Sequence, residues 1–138
     1  MNPDSPALPP DAYKQGLAIR RRTLGDAHVD RALANAGPLQ AELQQLVTAY
    51  AWGSVWTRPG LSPRDRSLAT VSMLVALGKT KELEGHVRGA LNNGVTPEEL
   101  KELLLHSTVY CGFPAAIDAF RTAVPVIEQH LQQAQNAA

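Results

Sequence analysis

The sequence predicts an all-α protein, a compact bundle of six to seven short helices, and three observations carry that expectation. Apolar residues recur at helical spacing along most of the chain. Helix starts and stops are written out in capping residues, with Ser62-Pro63 and Thr96-Pro97 opening segments and Gly78 and Asn93-Gly94 closing them. No stretch of useful length alternates apolar and polar residues as a half-buried strand does.

The elements follow in order. Residues 1–10 hold four prolines and read as a flexible N-terminal arm. Asp11 opens a helix over 11–23, which ends in the cationic run Arg20-Arg21-Arg22, expected to be solvated or to complement the helix C-terminus. Gly25-Asp26 turns the chain into a short helix over 27–35 carrying His28, between Asp26 and Asp30, a surface or local capping group. Pro38 begins a helix over 38–52 whose stripe is Leu39, Leu43, Leu46, Val47 and Tyr50. Its signals weaken at Trp52-Gly53-Ser54-Val55-Trp56, an aromatic segment read as core or subunit packing before it is read as a pocket wall. Thr57-Arg58-Pro59-Gly60 is a loop with Arg58 as its only charge. Ser62 caps a helix over 63–78 that is apolar or small nearly all round from Leu68 to Leu77, as a central buried helix is.

Residues 79–116 hold the richest local signals. Thr80 is expected to cap a helix over 80–93, and Thr96, Pro97 and Glu99 spell a capping box for a helix over 97–111. In the first of these, Glu82 falls one turn before His86, beside the stripe Leu83, Val87, Ala90 and Leu91. In the second, Glu102, His106 and Tyr110 stack at i, i+4 and i+8. A histidine on a helix flank is more often a satisfied structural group than a catalyst. Two of them, each with a carboxylate one turn away on the border of an apolar face, form a candidate half-buried acid–base site. A last helix over 114–130 packs through Ala115, Ala116, Ala119, Phe120, Ala123 and Val126, with Pro125 expected to kink or shorten it. Residues 131–138 form a polar tail expected to fray, which leaves 11–130 as a single helical domain.

Composition excludes several classes. Hydrophobic residues make up 44% of the 138-residue chain and charged ones 19%, with formal net charge zero. No basic excess attracts nucleic acid or a membrane surface. A single cysteine, Cys111, forms no intramolecular disulfide, offers little toward a zinc framework, and reads as a small packing residue. The N-terminus lacks the apolar core of a signal peptide and no run is long enough to span a bilayer, so the expected compartment is the cytoplasm. The histidines offer no convincing metal set.

Several strings in this order resemble the carboxymuconolactone decarboxylase family: LGDAHVDRALANAGPL at 24–39, YAWGSVWTRPGLSPRDRSLATVSMLVALG at 50–78, His86 with ALNNG and TPEE, YCGFPAA, and DAFRTA at 118–123. The resemblance covers roughly residues 13–127. It is closer to the decarboxylases than to the alkylhydroperoxidase D-like members of the wider superfamily, whose fold it implies. Those redox relatives carry Cys-x-x-Cys and then His; here Lys79 and Glu82 stand in the cysteine places, Ser67 in the acidic place, and His86 remains.

The resemblance implies cofactor-free decarboxylation of γ-carboxymuconolactone to the β-ketoadipate enol-lactone, a step in protocatechuate breakdown. It implies a small lactone dicarboxylate as partner and a homo-oligomer, trimer or hexamer; such assembly is expected to bury part of the aromatic segment 50–56. His86 becomes the candidate donor or acid and Glu82 its orienter. Arg58 and Arg66 are candidate carboxylate clamps, while His106, Tyr110 and Trp56 are candidate substrate-lining groups. The alternatives are a redox or peroxidase-like protein, which would lack its paired thiols, and a non-catalytic binding or assembly protein of the same fold.

Overall fold

A computed structural model describes residues 8–138. The expected mobile arm falls mostly on residues 1–7, outside the described residues. Seven α-helices and one π-helix make up the described secondary structure: α1 (Ala12–Leu24), α2 (Asp26–Asn35), α3 (Gly37–Leu46), the π-helix (Val47–Val55), α4 (Pro63–Leu77), α5 (Thr80–Asn92), α6 (Pro97–Tyr110) and α7 (Phe113–Asn136). Among the described residues there is no strand. The all-α expectation therefore holds. The contacts group the chain into two compact units, one ending at Gly60 and the other running Leu61–Ala138, where the sequence reading treats 11–130 as one.

In the first unit α1 lies directly against the π-helix. Two glycines make this possible. A Cβ built on Gly16 would stand 2.0 Å from the Thr48 carbonyl oxygen, and one on Gly53 would stand 2.0 Å from the Ala12 carbonyl oxygen. The two backbones meet where no side chain fits. Around this seam sits a small core of Leu24, Val29 and Trp52, with Leu17, Ile19, Leu33 and Trp56 packed on it. Arg20 is not part of a solvated cluster: it is buried, and its Nη1 donates to Thr48 Oγ1 at 2.9 Å. Burial pulls its guanidinium below the ordinary value, against a smaller opposing influence of Tyr13. The physical reason is position, since Arg20 is one turn beyond Gly16 and shares its face. Arg21 does meet solvent, and it clasps α2 through Asp30 at 2.7 Å and Asp26 at 3.3 Å. The single helix expected over 38–52 is α3 running into the π-helix, whose wider turns end at Val55. Of its apolar stripe Val47 is half-buried, while among the described residues Leu39 is 98% exposed and Leu43, Leu46 and Tyr50 are each more than half exposed.

In the second unit α4, α5, α7 and α6 stand in that cyclic order, each packed on the next, with α6 closing back onto α4. Twelve buried residues fill the middle, among them Val71, Val75, Leu83, Val87, Leu100, Leu104 and Ala123. The expected caps are present. Ser62 Oγ accepts from the Asp65 amide, and Thr96 with Glu99 forms the full capping box. Gly78 and Gly94 take positive φ and close α4 and α5 with paired bonds, Lys79 N–H to Leu74 O and Val95 N–H to Ala90 O.

Three expectations need correction. Thr80 is the first residue of α5 rather than its cap; Lys79 occupies the cap position and makes no side-chain cap bond, because its ammonium group has no lone pair to accept from a helix amide. The helix α4 is buried on one face only, with Met73 62% and Leu77 68% exposed, since its partners α5 and α6 approach from adjacent sides. Pro125 does not shorten α7, which runs from Phe113 to Asn136. Pro125 and Arg121, whose carbonyl loses an amide partner, both lie on the exposed side of the helix.

Candidate functional site

Helix faces in the second unit decide which candidate residues meet. On α5, Arg88 Nη1 donates to Gln129 Oε1 of α7 at 3.1 Å, and Lys81 and Glu84 border a cleft with Arg121 and Pro125 of the same helix. That flank looks to α7. The opposite flank, Glu82, His86 and Asn93, looks to α4: Asn93 Nδ2 donates to Ser67 Oγ at 3.0 Å. On α4, Arg64 pairs with Glu99 of α6, and Ser72 borders a cleft with residues of α6. The other flank, Arg66, Thr70 and Leu77, is left on the α5 side. The two flanks together form the outer groove between α4 and α5.

Register along the groove follows from its two ends. Ser67 is bonded to Asn93 at one end, and the turn Gly78-Lys79 joins the helices at the other. Seven residues in from each bonded partner, His86 and Leu74 stand level. Thr70 lies one turn to one side and Leu77 one turn to the other, and Arg66 lies two turns away, roughly 12 Å along the axis at 1.5 Å per residue. His86 is half-buried, Glu82 is exposed one turn before it, and Arg66 is half-buried. Thr70 Oγ1 donates to the Arg66 carbonyl at 2.8 Å. The groove thus presents one imidazole, one carboxylate and one guanidinium along one side of a helix pair.

His106 and Tyr110 lie elsewhere. Their rings meet at a tilt of 46° with centroids 4.9 Å apart, and they line an open cleft of about 310 Å³ on the α6 side of α4, with Ser72, Ser107 and Cys111. In the cyclic order of helices α5 and α6 are diagonal, so the hairpin that joins them in sequence does not fold His106 onto His86. Cys111 is half-buried, packed against the core of this unit and at the edge of this cleft. Arg58 and Trp56 belong to the first unit. The Trp56 ring leans on Trp52 at 4.8 Å and packs on that unit's small core, and Arg58 sits exposed on the loop, its amide donating to Val55 O at 3.1 Å. Among the described residues no three His, Cys, Asp or Glu side chains gather as a metal set.

Arg64, two residues before Arg66 at the start of α4, is a tie between helices. Its partner Glu99 has its carboxyl held below the usual range, first by the Thr96 N–H and then by Arg64. Sequence reasoning missed two clefts altogether. One is apolar, about 270 Å³ between α6 and α7, floored by Leu104, Phe120 and Ile127 and rimmed by Lys101 and Glu128. The other is the polar cleft between α5 and α7, about 360 Å³. Neither has a sequence signal, because each depends on which helices become neighbours. His86 lines none of these three clefts.

Comparison with known proteins agrees with the motifs. The sequence model described as the carboxymuconolactone decarboxylase family matches residues 41–124. The chain is 47% identical over 116 residues to 4-carboxymuconolactone decarboxylase of Acinetobacter baylyi, covering 84% of this chain and 87% of that one. It is 45% identical over 107 residues to nitrosuccinic acid decarboxylase of Metarhizium robertsii, covering 78% and 75%.

Proposed function

This chain belongs to the carboxymuconolactone decarboxylase family, and on that premise we propose that it decarboxylates γ-carboxymuconolactone to the β-ketoadipate enol-lactone, with His86 at the reacting end of the α4–α5 groove. The observation that carries the site is the half-buried imidazole on one flank with Glu82 and level with Leu74, two turns from Arg66. The substrate supplies its own electron sink. The bond to the departing carboxylate breaks, and its electron pair moves through the ring double bond onto the lactone carbonyl oxygen. The resulting dienolate then takes a proton at carbon. A protein for this reaction holds the remaining carboxylate, donates a hydrogen bond where the oxyanion forms, and delivers that proton.

In this reading Arg66 binds the acetate arm at one end of the groove, and His86 donates to the oxyanion or protonates the carbon. Glu82 orients the ring directly or through water. A neutral imidazole suits the task because it stabilises the developing charge without trapping the leaving carboxylate in a salt bridge. Arg58 and Trp56 keep the substrate-lining roles implied by the family, each to be tested singly, whereas His106 and Tyr110 line the separate cleft on the α6 side of α4 and would line substrate only at a site other than this groove. We further place the protein in the cytoplasm as a homo-oligomer, trimer or hexamer. Among the described residues no helix is long and apolar enough to cross a membrane.

A second reading is favoured by the nitrosuccinic acid decarboxylase relative. A nitro group beside the departing carboxylate accepts the electron pair as a lactone carbonyl does, so the same groove serves either dicarboxylate. The rates at which the purified protein turns over each compound separate the two, and turnover of neither overturns both. Removing the imidazole with His86→Ala is expected to lower kcat by about a hundredfold or more while the chain stays folded. Near-normal kcat in a folded variant would make His86 structural.

A further inference from the structure

Four large apolar side chains on the first unit face solvent in a row: Leu39 at 98% exposure, Leu43 at 58%, Leu46 at 60% and Tyr50 at 59%. Their spacing is four, three, four, the alternation of the two seam positions in a helix that packs on another helix. The first three lie on α3. Tyr50 lies in the π-helix, whose wider turn brings a four-residue step back over Leu46. The rod is helical through this stretch, and among the described residues all four side chains stay exposed.

We propose that this seam is a contact between two copies of the chain, with the two rods antiparallel about a two-fold axis. The proposal rests on the homo-oligomer reading above and names the face that reading leaves open. The row is self-complementary when reversed: Leu39 meets the partner copy's Tyr50, and Leu43 meets the partner copy's Leu46, on both sides of the axis. Charge selects the same arrangement. Between Arg31 and Arg58 the only charged residue is Glu42, beside the seam. Parallel rods would set the two Glu42 carboxylates side by side. Antiparallel rods place each Glu42 level with Val47 of the other copy, so the carboxylates are offset by five residues, roughly 7.5 Å along the axis. A bilayer surface is the poorer occupant, because a surface-bound amphipathic helix carries Lys or Arg on its polar face and this one has neither. Gln40 and Glu42 form the polar margin expected around an apolar centre.

The test begins with the mass of the full chain by sedimentation equilibrium, compared with Leu39→Glu/Leu43→Glu. Both side chains are exposed, so helicity by circular dichroism is expected to be unchanged. Association is expected to weaken at least about a hundredfold, since each substitution acts twice across the axis and each lost leucine burial is worth about tenfold or more. Register is read in a Cys111→Ser background with Leu43→Cys and Leu46→Cys chains. Oxidation is expected to cross-link the mixture and to leave each chain alone largely unlinked. Cross-linking of each chain with itself would overturn the antiparallel arrangement, and no cross-link in any sample would overturn the contact. An assembly that survives the double glutamate variant sinks this face and leaves the homo-oligomer reading intact. A wild-type monomer at all concentrations, including one that binds vesicles of anionic phospholipid, sinks both.

Discussion

The two units of this chain solve the same packing problem with opposite means. The second fills the space between four helices with aliphatic side chains, Leu83, Val87, Leu100 and Leu104 meeting in the middle. The first has little space to fill: Gly16 and Gly53 let α1 and the π-helix touch backbone to backbone, and a buried arginine stands where an aliphatic residue is the usual choice. The difference teaches where each unit is fragile. A side-chain core suffers when atoms are removed, whereas a backbone seam suffers when atoms are added.

The largest expected effect breaks the seam. Gly16→Val places a Cβ 2.0 Å from the Thr48 carbonyl oxygen, so the helices must part, at an expected cost above about 4 kcal/mol, in the exceptional range for a point change. Urea unfolding, with hydrogen exchange mapped to residues 12–24 and 47–55, checks it. Gly60→Ala, which meets nothing, is the neutral control. A Gly16→Val variant as stable as wild type would dissolve the contrast between the units. Next comes the side-chain core: Leu104→Ala is expected to cost about 2–5 kcal/mol by the same measurement.

The buried arginine gives a smaller effect. Thr48→Val keeps the volume and removes the acceptor of the Arg20 Nη1 bond, an expected loss of about 1–3 kcal/mol, recovered in part when Arg20 becomes Met. The smallest effects belong to the caps. Thr96→Ala is expected to cost about 1 kcal/mol. Its capping-box partner makes a pH prediction. The Glu99 carboxyl is held below its ordinary value by the Thr96 N–H and Arg64, so its contribution is present above the unfolded value, near ~4.3, and is lost as pH falls through the lower folded value. The gap in stability between wild type and Glu99→Gln is therefore expected to close on acidification; a gap constant with pH would remove the electrostatic account.

What the sequence made legible divides along the same line. The capping box at Thr96, the Ser62 cap and the left-handed Gly78 and Gly94 are local, set by residues within one turn, and each was readable. The flank shared by Glu82 and His86 was readable for the same reason. Its partner α4, and the separation of His86 from His106, were not, because two histidines on consecutive helices can face one another or stand diagonally with no change in either helix. The burial of α4 was overread since an apolar helix and a buried helix differ only in their neighbours. In the first unit the glycines at 16 and 53 gave no signal at all: their meaning lies in each other, 37 positions apart in the chain.

That backbone seam also governs how motion travels. Side chains packed on side chains yield by changing rotamer, and such contacts have slack. A carbonyl set against a glycine Cα has no rotamer to change. A tilt or slide of α1 therefore passes undiminished into the π-helix and carries Trp52 with it, and α1 and the π-helix behave as the two arms of one stiff lever.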